Sequence, residues 1–240
     1  MRPVHHWTNA ALAAFFLAAA GATSASSQQN TTYSPTTSGK LASNTYIEKM
    51  TAALERRHLL PALDSATRGM TFEEGRRFGA SLSSRGIVRL SPDMSVKWAT
   101  LIGTALGRTD PAVCSAWTKG SSSPEAQSSF VMSLLGTFEG QELDAWMDVS
   151  AAAMEAELRQ RPTIAVAPDS AALEVVSGIL SELSGENSSR FLADLRNLNG
   201  IDEAETCWVG RTMVAYATGA PEALKTRRAQ LLARMIASGK

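Results

Sequence analysis

The chain has 240 residues, with 23 Lys and Arg set against 23 Asp and Glu. A neutral balance excludes the basic footprint of a nucleic-acid binder and the cationic excess that draws a protein to anionic lipid. The length past the first 27 residues suffices for one domain with a full core or two small ones.

The amino-terminal segment predicts export. Residues 10–22 are apolar and uncharged, follow a short start carrying Arg2, and give way to small residues through Ala25, Ser26 and Ser27. This is the three-part layout of a secretory signal peptide over 1–27, with cleavage expected after Ala22, Ala25 or Ser27. The apolar run is shorter than the ~20 residues that span a bilayer, so no stable membrane anchor is expected, and the product is placed in the periplasm or medium. Residues 28–42 are polar and predict a flexible tail before a single all-α domain over 43–240.

From Ser43 onward the patterning is helical. Ile47, Met50 and Leu54 recur at spacings of three and four, which predicts a helix over 44–60. Thr71 and Glu74 form a capping box ahead of Phe78 and Leu82, for a helix over 72–85. Pro92, Pro111, Pro124 and Pro221 stand at first helical positions, where the missing N–H leaves no bond unmade. Further helices are predicted over 92–107, 111–118, 124–137, 140–160, 170–184, 187–198, 202–217 and 221–237. Only 86–90 and 163–167 read as β-like, and two isolated runs cannot build a sheet. The expected fold class is all-α, an irregular helical bundle of short to medium helices.

Cys114 and Cys207 are the only cysteines. In an exported chain they predict one disulfide, closing a loop of roughly 90 residues. A Cys-x-x-Cys redox spacing is missing.

The catalytic inventory is thin, and neither a catalytic residue nor a metal or cofactor site is expected. Once His5 and His6 leave with the signal only His58 remains, read as a cation near a helix C-terminus. Residues 195–206 align poorly with a calcium loop, since Leu195 and Thr206 stand at the first and last ligand positions. Gly200 is read instead as a helix stop, and Asp202 as the cap of the next helix.

Carboxylates are the remaining groups in number. The best cluster holds Glu139, Glu142, Asp144 and Asp148 around Trp146. Glu142 and Trp146 are four apart and share a helix face, where an indole raises a carboxyl pKa toward general-acid work. The plainer reading is an acidic first turn that complements the helix dipole. Lys225, Arg227, Arg228 and Arg234 crowd the last helix; the alternatives are a basic interaction face and, favoured for the later ones, complements of the helix's negative end. Met132, Met147, Met154, Met213 and Met235 and the tryptophans Trp98, Trp117, Trp146 and Trp208 are expected in the core, with Trp117 and Trp208 packing on the disulfide.

The expected function is therefore non-catalytic binding in the cell envelope, to another envelope protein or to a second copy. The alternatives are a carboxylate-dependent hydrolase or lyase acting on cell-wall material, with Glu142 or Glu139 as acid, and a carrier of an apolar ligand.

Overall fold

The computed structural model describes residues 37–120, 133 and 135–237. The predicted signal peptide, the first part of the predicted tail and most of the predicted helix 124–137 lie outside these residues. The fold is an all-α bundle, and no strand occurs among the described residues. Its helices are α1 (Thr37–Arg56), α2 (Leu60–Ala66), α3 (Phe72–Gly86), α4 (Pro92–Arg108), α5 (Pro111–Thr118), α6 (Gln141–Leu158), α7 (Pro168–Glu182), α8 (Gly185–Arg196), α9 (Glu203–Thr218) and α10 (Glu222–Ala237).

Local chemistry sets the helix starts. The Thr71 hydroxyl accepts from the Glu74 N–H while Glu74 takes the Thr71 N–H at 2.7 Å, a closed capping box. Asp110 accepts from the Val113 N–H at 3.0 Å, and Asp202 from the Glu205 N–H at 2.8 Å. Pro92 and Pro111 open α4 and α5 as their positions predict, although the Ser91 side chain makes no capping bond.

Three local differences have physical causes. The chain turns after Arg56, where one helix to residue 60 was expected. His58 adopts φ 55°, and the Leu59 N–H returns to the Leu54 carbonyl at 3.0 Å, closing a Schellman turn without glycine. That turn aims the buried Leu59 and Leu63 into the core at the start of α2. The β-like run 86–90 forms the end of α3 and a 3₁₀ turn, Ile87–Arg89, and 163–167 is irregular. Upstream, α1 begins at Thr37, inside the predicted tail.

Two helices act as hubs. Helix α6 packs against α1, α3 and α4, and α9 packs against α4, α5, α7, α8 and α10, so α4 joins the two groups over one continuous core. Both hubs owe this to small side chains. Ala151, Ala152, Ala153 and Ala156 are buried on α6, where they let neighbours approach on several sides. On α9, Gly210 lies against the Thr118 side chain of α5, closer than any Cβ would permit. Beside that contact Cys114 and Cys207 are joined, with Cα atoms 5.1 Å apart. The predicted disulfide therefore clamps α5 onto the C-terminal hub.

Trp98, Met147, Met154 and Met213 are buried in the core, and Trp117, Trp146, Trp208 and Met235 pack at its edge, while Met132 lies outside the described residues. Trp208 meets Phe191 edge-on at 6.1 Å and carries the Arg190 guanidinium over its ring at 4.3 Å.

Candidate functional site

The acidic cluster forms the N-terminal half of α6. Glu142 and Asp144 lie in its first turn, where the positive helix end favours carboxylates. Each of the cluster's three acids within α6 then finds a cation from another element. Glu142 takes both terminal nitrogens of Arg108, at 2.6 and 2.9 Å, in a fork-to-fork pair. Asp144 meets Lys49 at 2.5 Å, and Asp148 lies between Arg57 at 2.8 Å and Lys97 at 3.6 Å. Glu139 is exposed. Trp146 packs on Phe138, with ring centroids 5.7 Å apart.

The Arg108 hydrogen bond holds the Glu142 carboxyl below its ordinary range, and the pairing raises Arg108 in turn. An indole-desolvated acid would shift the other way. A carboxyl held down by a guanidinium is the wrong starting point for a general acid at neutral pH. Because the folded pKa is lowered, the pair's stabilisation is present above the ordinary carboxylate range and is lost as pH falls through the lowered value. Arg108 also donates to the Thr137 carbonyl at 2.9 Å, a bond that does not titrate. The stability difference between wild type and Arg108→Ala should thus hold steady at neutral pH and shrink in acid to the part that bond carries. Urea midpoints measured on both proteins across that range check this; an undiminished difference in acid contradicts it.

A second feature lies between α4 and α9. Thr100, Gly103, Thr104 and Gly107 form one stripe on α4, and Arg211, Val214, Ala215 and Thr218 form the matching stripe on α9. Both stripes run at i, i+3, i+4 and i+7, so two helix faces look into a common groove of about 470 Å³. The helices meet closely at Gly103, where a Cβ would lie 3.2 Å from the Val214 side chain, and that contact forms the floor. Arg211 stands at the C-terminal end of α4 and donates to the Leu106 and Thr109 carbonyls at 2.8 and 3.2 Å. Its partners among the described residues are these carbonyls, so its charge faces the groove without a carboxylate.

Gly107 borders this groove, and a Cβ added there would meet nothing within 4 Å. Gly107→Ala should therefore stabilise the protein by about 0.5–1 kcal/mol, the gain of alanine over glycine within a helix. Equilibrium urea unfolding checks it; destabilisation would show that the position is not open.

The remaining sequence candidates are structural. His58 is exposed at its turn. On α10, Arg227 pairs with Glu174 at 2.9 Å and Arg228 with Glu182 at 2.6 Å, both on α7, while Arg234 donates to the Val166 carbonyl at 3.2 Å. These cations tie α10 to α7 and the segment before it, a role beyond complementing their own helix end. The groove had no signature in the sequence, since α4 and α9 are distant in the chain and small residues carry no chemistry of their own. No protein family, curated protein or solved structure matches this chain.

Proposed function

We propose that the chain is an exported, non-catalytic domain that binds a helix of another envelope polypeptide. The observation that carries this reading is the α4–α9 groove, with its paired small-residue faces and a cation at one end. Such a surface suits the helix-in-groove mode, in which an apolar stripe fills the groove and a carboxylate meets Arg211. The export half of the reading rests on the amino-terminal segment and is supported by the disulfide, a bond that persists in oxidising compartments.

The test is a photoreactive benzoylphenylalanine in place of Thr104, in the protein expressed in its own host envelope. One polypeptide should be captured and identified by mass, and filling the groove with Ala215→Trp should abolish its capture. Crosslinking that persists with the groove filled, or none at all, overturns the reading. The largely apolar lining supports a second reading, a carrier of a small apolar ligand. Native mass spectrometry of the exported protein separates the two, because a carrier retains a small-molecule mass that Ala215→Trp displaces.

A further inference from the structure

The C-terminal ends of α1, α3 and α6 converge at one pole of the N-terminal half. Two glutamates of α6 are buried there, Glu155 at 7% and Glu157 at 8% exposure. Arg57 and Arg161 each reach Glu155 at 3.0 Å, and Arg159 lies 3.3 Å from it. Arg85 and Arg89 hold Glu157 at 3.0 and 2.8 Å. The Arg89 guanidinium also donates to the Arg161 carbonyl, which joins both sets into one network.

The network carries more positive charge than it consumes. Counting Lys97 beside Asp148, among the described residues six cations contact three carboxylates, an excess of three in a chain whose charges balance overall. Three helix C-termini, at about −0.5 charge each, offset roughly half of that. The layering decides what solvent sees. The two glutamate side chains are about one-tenth exposed, whereas those of Arg85, Arg159 and Arg161 are 56, 59 and 38% exposed. Each of these three arginines uses one nitrogen on a glutamate, and among the described residues its other side-chain nitrogens have no acceptor. The buried glutamates thus lie beneath a layer of guanidiniums that they contact from below and that is partly open to solvent.

We propose that this pole is a docking surface for an acidic polypeptide segment, which rests on reading the chain as an interaction domain and names the chemistry of a partner. The structure already shows the ligand chemistry, since two of these guanidiniums, Arg85 and Arg161, each donate to a carboxylate at 3.0 Å beneath the surface. Arginine's rigid fork repeats that geometry outward. Among the residues whose side chains are described, the exposed large hydrophobics, Leu173 and Leu224, lie on α7 and α10 and not beside these arginines. The contact is therefore made by charge, without the apolar wedge that membrane insertion uses.

The probe is poly-L-glutamate, titrated calorimetrically into the full exported chain at low salt, with vesicles containing phosphatidylglycerol in parallel. Binding should be measurable and should weaken steeply as salt is raised. The double variant Arg85→Gln/Arg159→Gln should bind at least tenfold more weakly, because it removes two outward forks while Arg89 still holds Glu157 and Arg57 and Arg161 still hold Glu155. Arg227→Gln, a charge loss on α10, should bind like wild type. If the double variant fails to fold, each single substitution is read instead, with a smaller loss expected. Absence of poly-glutamate binding, equal binding by all variants, or stronger binding to the vesicles at matched charge overturns the proposal. None of these outcomes bears on the Thr104 crosslink, so the two readings fail separately.

Discussion

Replacing both cysteines, as Cys114→Ala/Cys207→Ala, should cost about 4–5 kcal/mol of unfolding free energy. The bond joins residues 93 apart, and closing a loop of that size in the unfolded chain removes roughly that much conformational freedom. Both cysteines are buried, so alanine leaves small voids that add to the loss and introduces no unpaired polar group. Domains of this kind are stable by about 5–15 kcal/mol, so the double variant forfeits a large share of the total. The melting temperature should fall by about 10–15 °C at this size. The closed loop contains α6, α7 and α8 and ends on α9, so it spans the N-terminal hub and the start of the C-terminal one. Urea unfolding of the oxidised wild type beside the variant measures the loss. A loss below about 1 kcal/mol would mean that α5 and α9 hold each other without the bond.

What could be read ahead of the structure was the chemistry that acts within one turn. Thr71 with Glu74, Asp110 and Asp202 each cap the helix that their spacing predicts, because a cap's donors lie two or three residues from its acceptor. The disulfide was legible from the predicted export and the count of two cysteines. The turn at His58 was not, because its left-handed position is filled by histidine and the usual glycine signal is missing. Nor was the early start of α1 at Thr37, since residues 37–42 are polar and show no apolar stripe. The run 86–90 misled because Ile87 and Val88 are β-branched, while their place at the end of α3 decides their conformation.

The candidate site was harder to read for a related reason. Glu142 and Arg108 are 34 residues apart, and only the packing of α4 on α6 makes them a pair. The same applies to Glu155 and Glu157, whose arginine partners come from several elements. An acidic residue in a helix pattern reads as solvent-facing. Two buried ones become visible once neighbouring elements cover all sides of α6.

Gly86→Ala is expected to destabilise the protein by about 3 kcal/mol or more, although the same change at Gly107 should stabilise it. Gly86 has φ −74°, which any residue adopts, so backbone conformation does not require glycine there. Helix propensity alone would favour alanine at both positions by about 0.5–1 kcal/mol. The steric term differs. A Cβ at Gly86 would lie 1.8 Å from the Ala153 carbonyl oxygen and 2.4 Å from its carbon, and these are backbone atoms of a continuous helix. No rotamer change relieves that overlap; α3 must move off α6. Arg85 and Arg89 flank Gly86 and are both held by Glu157, so the movement would also open that network. Overpacking therefore outweighs propensity at Gly86, while propensity stands alone at Gly107. Urea unfolding of the two variants side by side tests the contrast. If Gly86→Ala proves as stable as wild type, α3 does not approach the α6 backbone as closely as the fold requires, and the convergence of helix ends behind the arginine pole loses its basis.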